Sequence, residues 1–216
     1  MSRVRVKICG VMSLAEAKAA VDAGADALGF NFWPDSPRFI EPALARSIIA
    51  SLPPFVSKVG VFVNEEAERI AEAAASSGVD AVQLHGHEEP DFCARLRVSD
   101  RFRGITLIKA VRVEKEADLE RIGLYRVSAV LLDSKIKGRF GGTGEHFDWR
   151  LAIKAKGLAP IILAGGLRAE NAREAITSVR PFALDVCSGV ESSPGVKDLE
   201  KIRAFMAEVD GANAGR

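Results

Sequence analysis

The chain has 216 residues, of which 48% are hydrophobic, and its 30 basic and 29 acidic side chains leave a formal net charge of +1. This length suits one well-buried domain, and the balanced charge, without a basic block, argues against nucleic acid or a membrane surface as a partner. No apolar run approaches the ~18 residues of a membrane span, and the three cysteines, which cannot all pair, favour a reducing, cytoplasmic compartment.

Segments rich in β-branched and apolar residues recur along the chain, and several are continuous apolar runs typical of parallel strands buried on both faces. Segments with helical period lie between most of them, as at 14–23, 65–76 and 170–178. Gly24 and Gly78 stand where helices should end. The predicted strands cover residues 4–9, 27–32, 58–63, 81–85, 106–111, 129–133, 160–164 and 182–186.

Eight strands that alternate with helices predict an α/β fold in which a single (β/α)8 TIM barrel spans residues 1–210. A helix is also expected between Val111 and Ala129. An open doubly wound sheet is the alternative, but such sheets rarely contain eight parallel strands, and no GxGxxG motif follows the first strand. Residues 211–216 read as a frayed C-terminal tail.

The carboxyl ends of the strands are the place to look for a site, because active sites of these barrels lie there. A lone cysteine is more often a small buried hydrophobe than a reactive group. Here, however, the predicted strand ends bring a thiol together with two carboxylates and two glycine-containing loops, which indicates a functional site. The residues at these ends are Cys9, Asn31, Asn64, Gln83, His85, Arg112, Asp133, Gly165, Gly166 and residues 185–189.

Each of these groups has a functional and a structural interpretation. The glycine loops after the seventh and eighth strands suit a phosphate, because exposed backbone N–H groups and a helix N-terminus attract its oxygens, but two ordinary tight turns are the alternative. A partly desolvated carboxyl group such as Asp133 or Asp185 suits proton transfer, whereas an Asx turn is the structural alternative.

Three further side chains give weaker evidence of a function. Arg38, next to Pro37, has the geometry to bind a carboxylate through two N–H groups, although a solvated surface arginine is the default interpretation. His85 and His87 lie close together without an evident third ligand, so no metal site is predicted.

Nine short segments form an ordered set of motifs along the chain. They are KICG at 7–10, AGADALGF at 23–30, SPR at 36–38, VGVFVN at 59–64, VQLHG at 82–86, LDSK at 132–135, GGTG at 141–144, LAGGL at 163–167 and SGVESSPGVKD at 188–198. Each segment is modestly specific alone. Together, and in this order, they make the chain resemble the phosphoribosylanthranilate isomerase family of tryptophan biosynthesis over nearly its whole length.

The resemblance implies an Amadori rearrangement of N-(5-phosphoribosyl)anthranilate to 1-(2-carboxyphenylamino)-1-deoxyribulose 5-phosphate, without a cofactor or a metal. Cys9 would be the general base at C2′ and Asp133 the general acid on the ring oxygen. Arg38 would meet the anthranilate carboxylate, and Asp185 the ribose hydroxyls. The residues expected to hold the phosphate are Gly166, Ser188 and Gly189. The expected partner is thus a phosphorylated small molecule, and the protein would be a monomer or a homodimer.

The two cysteines at the barrel mouth carry two expectations of their own. Lys7 shares the side-chain direction of Cys9 along the strand and is expected to help stabilise its thiolate. Cys187 stands where the family usually has serine. Because the eighth strand of a barrel neighbours the first, Cys187 is expected to lie near Cys9, and mild oxidation is predicted to join them reversibly.

Three other functions compete with the isomerase. A ribulose-phosphate epimerase would need metal ligands, and an indole-glycerol-phosphate synthase would need a catalytic lysine and glutamate array, neither of which the strand ends supply. A non-catalytic sensor of phosphorylated metabolites would need the phosphate loops only. The presence of both Cys9 and Asp133 argues against a sensor. In Asn31 and in the pair Val11-Met12 the chain departs from the family pattern without losing a catalytic residue.

Overall fold

The computed structural model describes residues 3–134 and 149–215. Eight parallel strands pair in sequence order and β8 returns to pair with β1, so the sheet closes into the predicted (β/α)8 barrel. Every strand lies within two residues of the segment predicted for it. The strands are β1 Arg5–Cys9, β2 Ala27–Asn31, β3 Ser57–Phe62, β4 Ala81–Leu84, β5 Thr106–Val113, β6 Ala129–Ser134, β7 Ile161–Leu163 and β8 Ala183–Val186.

The helices begin and end at residues suited to those positions. Ser13 caps the first helix in a capping box with Glu16, and Gly78 ends the third in a left-handed conformation with φ 79°. None of the helices within the described ranges is long and apolar enough to cross a membrane. The helices are α1 Leu14–Asp22, α2 Pro42–Ile49, α3 Ala67–Ser77, α4 Pro90–Val98, α5 Trp149–Ala155, α6 Ala169–Val179 and α7 Leu199–Ala214.

The connection between β5 and β6 differs from the predicted α-helix. It forms two 3-10 helices, Glu116–Leu119 and Ile122–Leu124. Its apolar anchors Leu119 and Ile122 are both buried and lie three residues apart. Each of them anchors one of the two short helices, and Gly123 adds little helix propensity.

The predicted frayed tail is wrong for most of its length, because α7 continues to Ala214. The Asn213 side chain explains the order of this segment. Its Oδ1 accepts a hydrogen bond from Val4 N at 2.9 Å and its Nδ2 donates to Val4 O at 3.1 Å, while Ala212 is buried. The C-terminal helix is therefore tied to the start of β1, which a polar, glycine-containing sequence does not reveal.

The core has two layers, one between the strands and the helices and one inside the barrel. The barrel interior is filled by small and branched side chains such as Val59, Ile108, Leu131 and Ala183. Because successive side chains of a strand alternate between faces, the inward positions nearer the carboxyl ends are polar. They include Lys7, Cys9, Gln83, Asp133 and Asp185.

A second short sheet follows the barrel, in which β9 Glu191–Ser193 pairs antiparallel with β10 Val196–Lys197. At the opposite end of the barrel, Phe55 in the α2–β3 connection is fully exposed and has φ 70°. A left-handed conformation is unusual for a phenylalanine and costs roughly 1 kcal/mol or more.

Candidate active site

A pocket opens at the carboxyl end of the barrel, where inward-facing side chains of several strands meet. Six of the seven predicted site residues line it. The seventh, Gly189, follows directly in the 3-10 helix Ser188–Val190 after β8. The six lining residues are Cys9, Arg38, Asp133, Asp185, Gly166 and Ser188. The structure thus brings the predicted residues together at one barrel mouth.

A buried ion pair lies beside the Cys9 thiol. Lys7 Nζ donates to Asp185 Oδ1 at 2.8 Å, and both side chains are buried. Burial raises the pKa of Asp185 to about 6 in spite of the lysine. Burial also opposes the charge on Lys7, but Asp185 and Cys9 outweigh it and raise the lysine pKa. At neutral pH the pair is ionised, and the ammonium group lies next to Cys9.

Cys9 is placed to ionise. The neighbouring Cys187 thiol, together with Lys7, lowers the pKa of the Cys9 thiol well below its usual range, although burial opposes this. The space for its sulfur comes from Gly29, which is opposite Cys9 on β2. A Cβ on Gly29 would lie only 2.8 Å from Cys9 Sγ and 3.0 Å from Lys7 Cε.

The predicted proximity of Cys9 and Cys187 is confirmed, since Cys9 ends β1, Cys187 directly follows the adjacent β8 and both residues line the pocket. Both are free thiols. The reversible oxidation expected of them stays a prediction.

Asp133 is held by a chain of polar side chains that begins on β4. His85 Nε2 lies 3.3 Å from Asp133 Oδ2, and Gln83 Nε2 lies 2.8 Å from His85 Nδ1. Because an amide nitrogen can only donate, this arrangement puts the ring proton on Nε2, which donates to the carboxylate. The sequence showed His85 at a strand end but did not indicate its pairing with Asp133.

Arg38 is fixed by two residues that the sequence analysis missed. Its Nε and Nη2 donate to the two carboxylate oxygens of Glu191 at 2.8 and 2.7 Å, and Lys197 Nζ donates to Glu191 Oε1 at 2.7 Å. Burial opposes the charge of Glu191, but the hydrogen bonds from Arg38 and Lys197 lower its pKa overall. The only sequence signal was a glutamate close to the Ser-Gly loop.

Asn31 organises the loop that carries Arg38. Its Oδ1 accepts from Trp33 N at 2.9 Å and its Nδ2 donates to Ser36 Oγ at 3.0 Å. Ser36 Oγ also accepts from Arg38 N at 3.1 Å. The polar side chain of Asn31 therefore orders the arginine loop.

The two glycine loops lie against each other. Gly165 and Gly166 have φ of 80° and 65°, a conformation that favours glycine and turns the backbone towards the pocket before α6. Gly189 approaches the other loop so closely that a Cβ would overlap the carbonyl oxygen of Leu167. Asn171 Nδ2 donates to Gly166 O at 2.9 Å and holds the first loop onto α6.

Some predicted strand-end residues lie elsewhere. Asn64 accepts a hydrogen bond from His87 N at 2.6 Å outside the pocket, and Arg112 lines a separate cavity with Lys109. The glycine-containing segment 138–144, which includes the GGTG motif, lies outside the described residues. Among the residues that are described, no group of three or more His, Cys, Asp or Glu side chains is placed to hold a metal ion.

Comparison with known proteins assigns this architecture to a family. The family model for N-(5′-phosphoribosyl)anthranilate isomerase matches residues 6–208. A relative from Geobacter metallireducens named N-(5′-phosphoribosyl)anthranilate isomerase is 51% identical over 203 residues, which cover 94% of this chain and 97% of that protein.

Solved structures agree with the sequence comparison. A phosphoribosyl anthranilate isomerase in complex with reduced 1-(o-carboxyphenylamino)-1-deoxyribulose 5-phosphate superimposes with a TM-score of 0.85 at 45% identity, over 96% of this chain and 99% of that one. Monomers generated from the dimeric enzyme of Thermotoga maritima give a TM-score of 0.84 at 44% identity, with the same coverage. On sequence, fold and full-length coverage alike, the chain belongs to the N-(5′-phosphoribosyl)anthranilate isomerase family.

Proposed function

We propose that this chain catalyses the reaction of its family, the isomerisation of N-(5′-phosphoribosyl)anthranilate to 1-(2-carboxyphenylamino)-1-deoxyribulose 5-phosphate in tryptophan biosynthesis. The observation that carries the proposal is that Cys9 and Asp133, each with a buried polar neighbour, line one pocket beside two glycine loops. A base and an acid across one substrate are what an Amadori rearrangement requires.

Asp133 acts first, as the general acid. It gives a proton to the furanose ring oxygen while the C1′–O4′ bond breaks, and the anilino nitrogen lone pair forms a C=N bond to C1′. His85, which donates to Asp133 Oδ2, fixes the orientation of the carboxyl group during this step. The ring opens to an iminium ion without any change in oxidation state of the molecule as a whole.

Cys9 acts next, as the general base. Its thiolate takes the proton from C2′, and the C–H electrons form a C1′=C2′ double bond as the nitrogen recovers its lone pair. The resulting enolamine becomes the ketone when the O2′ proton is lost and C1′ is protonated. Lys7, buried and 2.8 Å from Asp185, supports the negative charge on Cys9 before the transfer.

The remaining pocket residues bind the substrate. Backbone N–H groups of Gly166, Ser188 and Gly189, with the N-terminus of α6, hold the phosphate. Arg38 keeps its Nη1 edge for the anthranilate carboxylate, since its Nε edge is bound to Glu191. Asp185 accepts hydrogen bonds from ribose hydroxyls. A relative in complex with reduced 1-(o-carboxyphenylamino)-1-deoxyribulose 5-phosphate supports a phosphorylated ligand of this kind.

One assay tests the proposal. The purified protein is mixed with phosphoribosylanthranilate, and the loss of substrate fluorescence is compared for the wild type, Cys9→Ala and Asp133→Asn. We expect each substitution to lower kcat by about 10³-fold or more, because general acid–base catalysis contributes about 10²–10⁴-fold. Binding without turnover in the wild type would instead support the non-catalytic sensor.

We further infer that the protein is a homodimer that works in the cytoplasm. The fully exposed Phe55, in a strained conformation on the face opposite the pocket, is an apolar group that a second copy would bury. A relative from Thermotoga maritima is described as dimeric. The three free cysteines, of which Cys9 must stay reduced to act as a base, suit a reducing compartment.

A further inference from the structure

Cys187 occupies a position from which it can act on Cys9. Ile8 of β1 pairs with Val186 of the adjacent β8, so Cys9 ends β1 and Cys187 directly follows the end of β8 beside it. Both side chains line the pocket. The sulfur of Cys187 also lies over Gly10, where a Cβ would come within 3.3 Å of it.

The Cys187 sulfur is held from behind by a buried ion pair. Lys197 Nζ donates to Cys187 Sγ at 3.7 Å and to its carbonyl oxygen at 3.3 Å, and the Cys187 thiol donates to Glu191 Oε1 at 3.7 Å. The Lys197 and Glu191 side chains are almost completely buried. The thiol of Cys187 is therefore fixed, and the proximity of Cys9 together with burial raises its pKa, although Lys197 and Arg38 oppose this.

Cys9 experiences a different set of neighbours. Its charged neighbours come from several elements, and Lys7 on its own strand lowers the pKa of Cys9 more than Lys197 does. The titratable and charged groups that face Cys9 are Lys7, Arg38, Asp185, Cys187 and Lys197. Two sulfurs so close together cannot readily both be thiolates, so the charge belongs to one of them and the remaining proton to the other.

We propose that Cys187 is a positioning residue for the reaction: when Cys9 is charged, the Cys187 S–H group turns from Glu191 to the neighbouring Cys9 thiolate and keeps that base charged and aimed into the pocket. The proposal rests on the proposed function only in that Cys9 is the base. The same contact lowers the pKa of Cys9 and raises that of Cys187. The thiol at this position thus donates a hydrogen bond to Cys9, as the hydroxyl group of a serine would.

The test measures each cysteine separately in the full chain. Carbamidomethylation by iodoacetamide is followed against pH, and the modified peptides are quantified by mass spectrometry, because only the thiolate reacts. In the wild type we expect Cys9 to react at a lower pH than Cys187. In Cys187→Ala the midpoint for Cys9 should rise by about one to two pH units, since a hydrogen bond to a charged group is removed.

Two further variants separate hydrogen bonding from packing. Cys187→Ser retains an O–H donor and should keep the Cys9 midpoint close to the wild-type value. Cys93→Ala removes a buried thiol of α4 that lies away from the pocket, and it should leave the Cys9 midpoint unchanged. The acid limb of kcat/KM should move with the Cys9 midpoint in every variant.

Three results would overturn the proposal: an equal Cys9 midpoint in the wild type and Cys187→Ala, a Cys187→Ser midpoint that matches alanine, or reaction of Cys187 at a lower pH than Cys9. If Cys187→Ala does not fold, the serine variant decides the question. Failure of the proposed function is a separate outcome, because full turnover by Cys9→Ala would remove Cys9 as the base whatever the alkylation midpoints of the wild type are.

Discussion

At the scale of single residues, the Lys7–Asp185 pair has opposite effects on stability and on catalysis. Burying two charges costs free energy, which their 2.8 Å contact only partly recovers. The arrangement nevertheless puts a positive charge next to Cys9, where the reaction needs a thiolate. We expect Lys7→Met to raise the pKa of Cys9 and to destabilise the fold by about 3–5 kcal/mol, because Asp185 is left buried without its partner.

The Lys7→Met measurement combines alkylation of Cys9 against pH with chemical denaturation. Arg5→Met is a matched control, because Arg5 lies on the same strand, is exposed and stacks on Phe182 with its guanidinium 4.6 Å from the ring centre. It should change neither the Cys9 midpoint nor the activity. A Cys9 midpoint that stays the same in Lys7→Met would show that the lysine does not stabilise the thiolate.

Asp185 gives the reaction a pH dependence of its own. Burial raises its pKa to about 6, and a carboxyl group carries its charge only above its pKa. We therefore expect kcat/KM to fall as the pH drops below about 6, because the ion pair with Lys7 and the acceptor for the ribose hydroxyls are both lost. Asp185→Asn should be less active and should lack this inflection. A wild-type rate that is constant from pH 5 to 7 would contradict the assignment.

The residue types at the strand ends were enough to predict Cys9, Asp133 and their common location. The partners of these residues were harder to predict. Glu191 and Lys197 meet only because a short hairpin brings β10 back onto β9, and no periodic pattern marks that hairpin. His85, just after β4, contacts Asp133 of β6, which is two strands further around the barrel. Whether two such side chains meet depends on the stagger of the strands.

At the scale of elements, the site depends on how closely the loops after β7 and β8 approach each other. A Cβ on Gly189 would overlap the Leu167 carbonyl oxygen, and a backbone atom cannot move aside as a flexible side chain can. We expect Gly189→Ala to separate the two loops and to raise KM by about tenfold or more, because misplaced backbone donors bind phosphate poorly.

Steady-state kinetics and competitive inhibition by inorganic phosphate would measure the effect of Gly189→Ala. Gly157→Ala is the matched control, since a Cβ at Gly157 meets no atom within 4 Å, and it should leave KM unchanged. Equal KM values for both variants would mean that the close approach of the loops does not shape the phosphate site.

The pattern of elements was predictable where the strands are buried on both faces, because continuous apolar runs are then unavoidable. It failed where contacts between distant segments decide. The connection after β5 is anchored by Leu119 and Ile122, one in each short 3-10 helix, which are buried in the core, and the end of α7 is ordered by one side chain, Asn213, that reaches β1. Contacts between residues distant in sequence determine both outcomes.

At the scale of the whole molecule, the barrel has two faces with different chemistry. The carboxyl face carries the pocket, with its thiols, carboxylates and glycine loops. Phe55 belongs to the other face, since the connection from a helix to the next strand lies at the amino ends of the strands. An assembly through that face would leave the pocket of each copy open to the substrate.

Phe55 is the residue that tests such an assembly. Its side chain is fully exposed and its φ is 70°, so an isolated molecule would have both an exposed aromatic ring and backbone strain without compensation. Burial of one such ring stabilises by about 2–3 kcal/mol, and a two-fold dimer would bury two. We expect the wild type to sediment as a dimer and Phe55→Ser to sediment as a monomer with undiminished kcat.

Leu44→Ser removes a half-exposed apolar side chain from α2 instead, and this control should stay dimeric. Sedimentation velocity across a range of protein concentrations distinguishes the three proteins. A wild type that is monomeric at every concentration would refute the dimer, and a dimeric Phe55→Ser would show that other contacts hold it together. With kcat unchanged in the monomer, the chemistry would belong to one barrel alone, since every proposed catalytic group comes from a single chain.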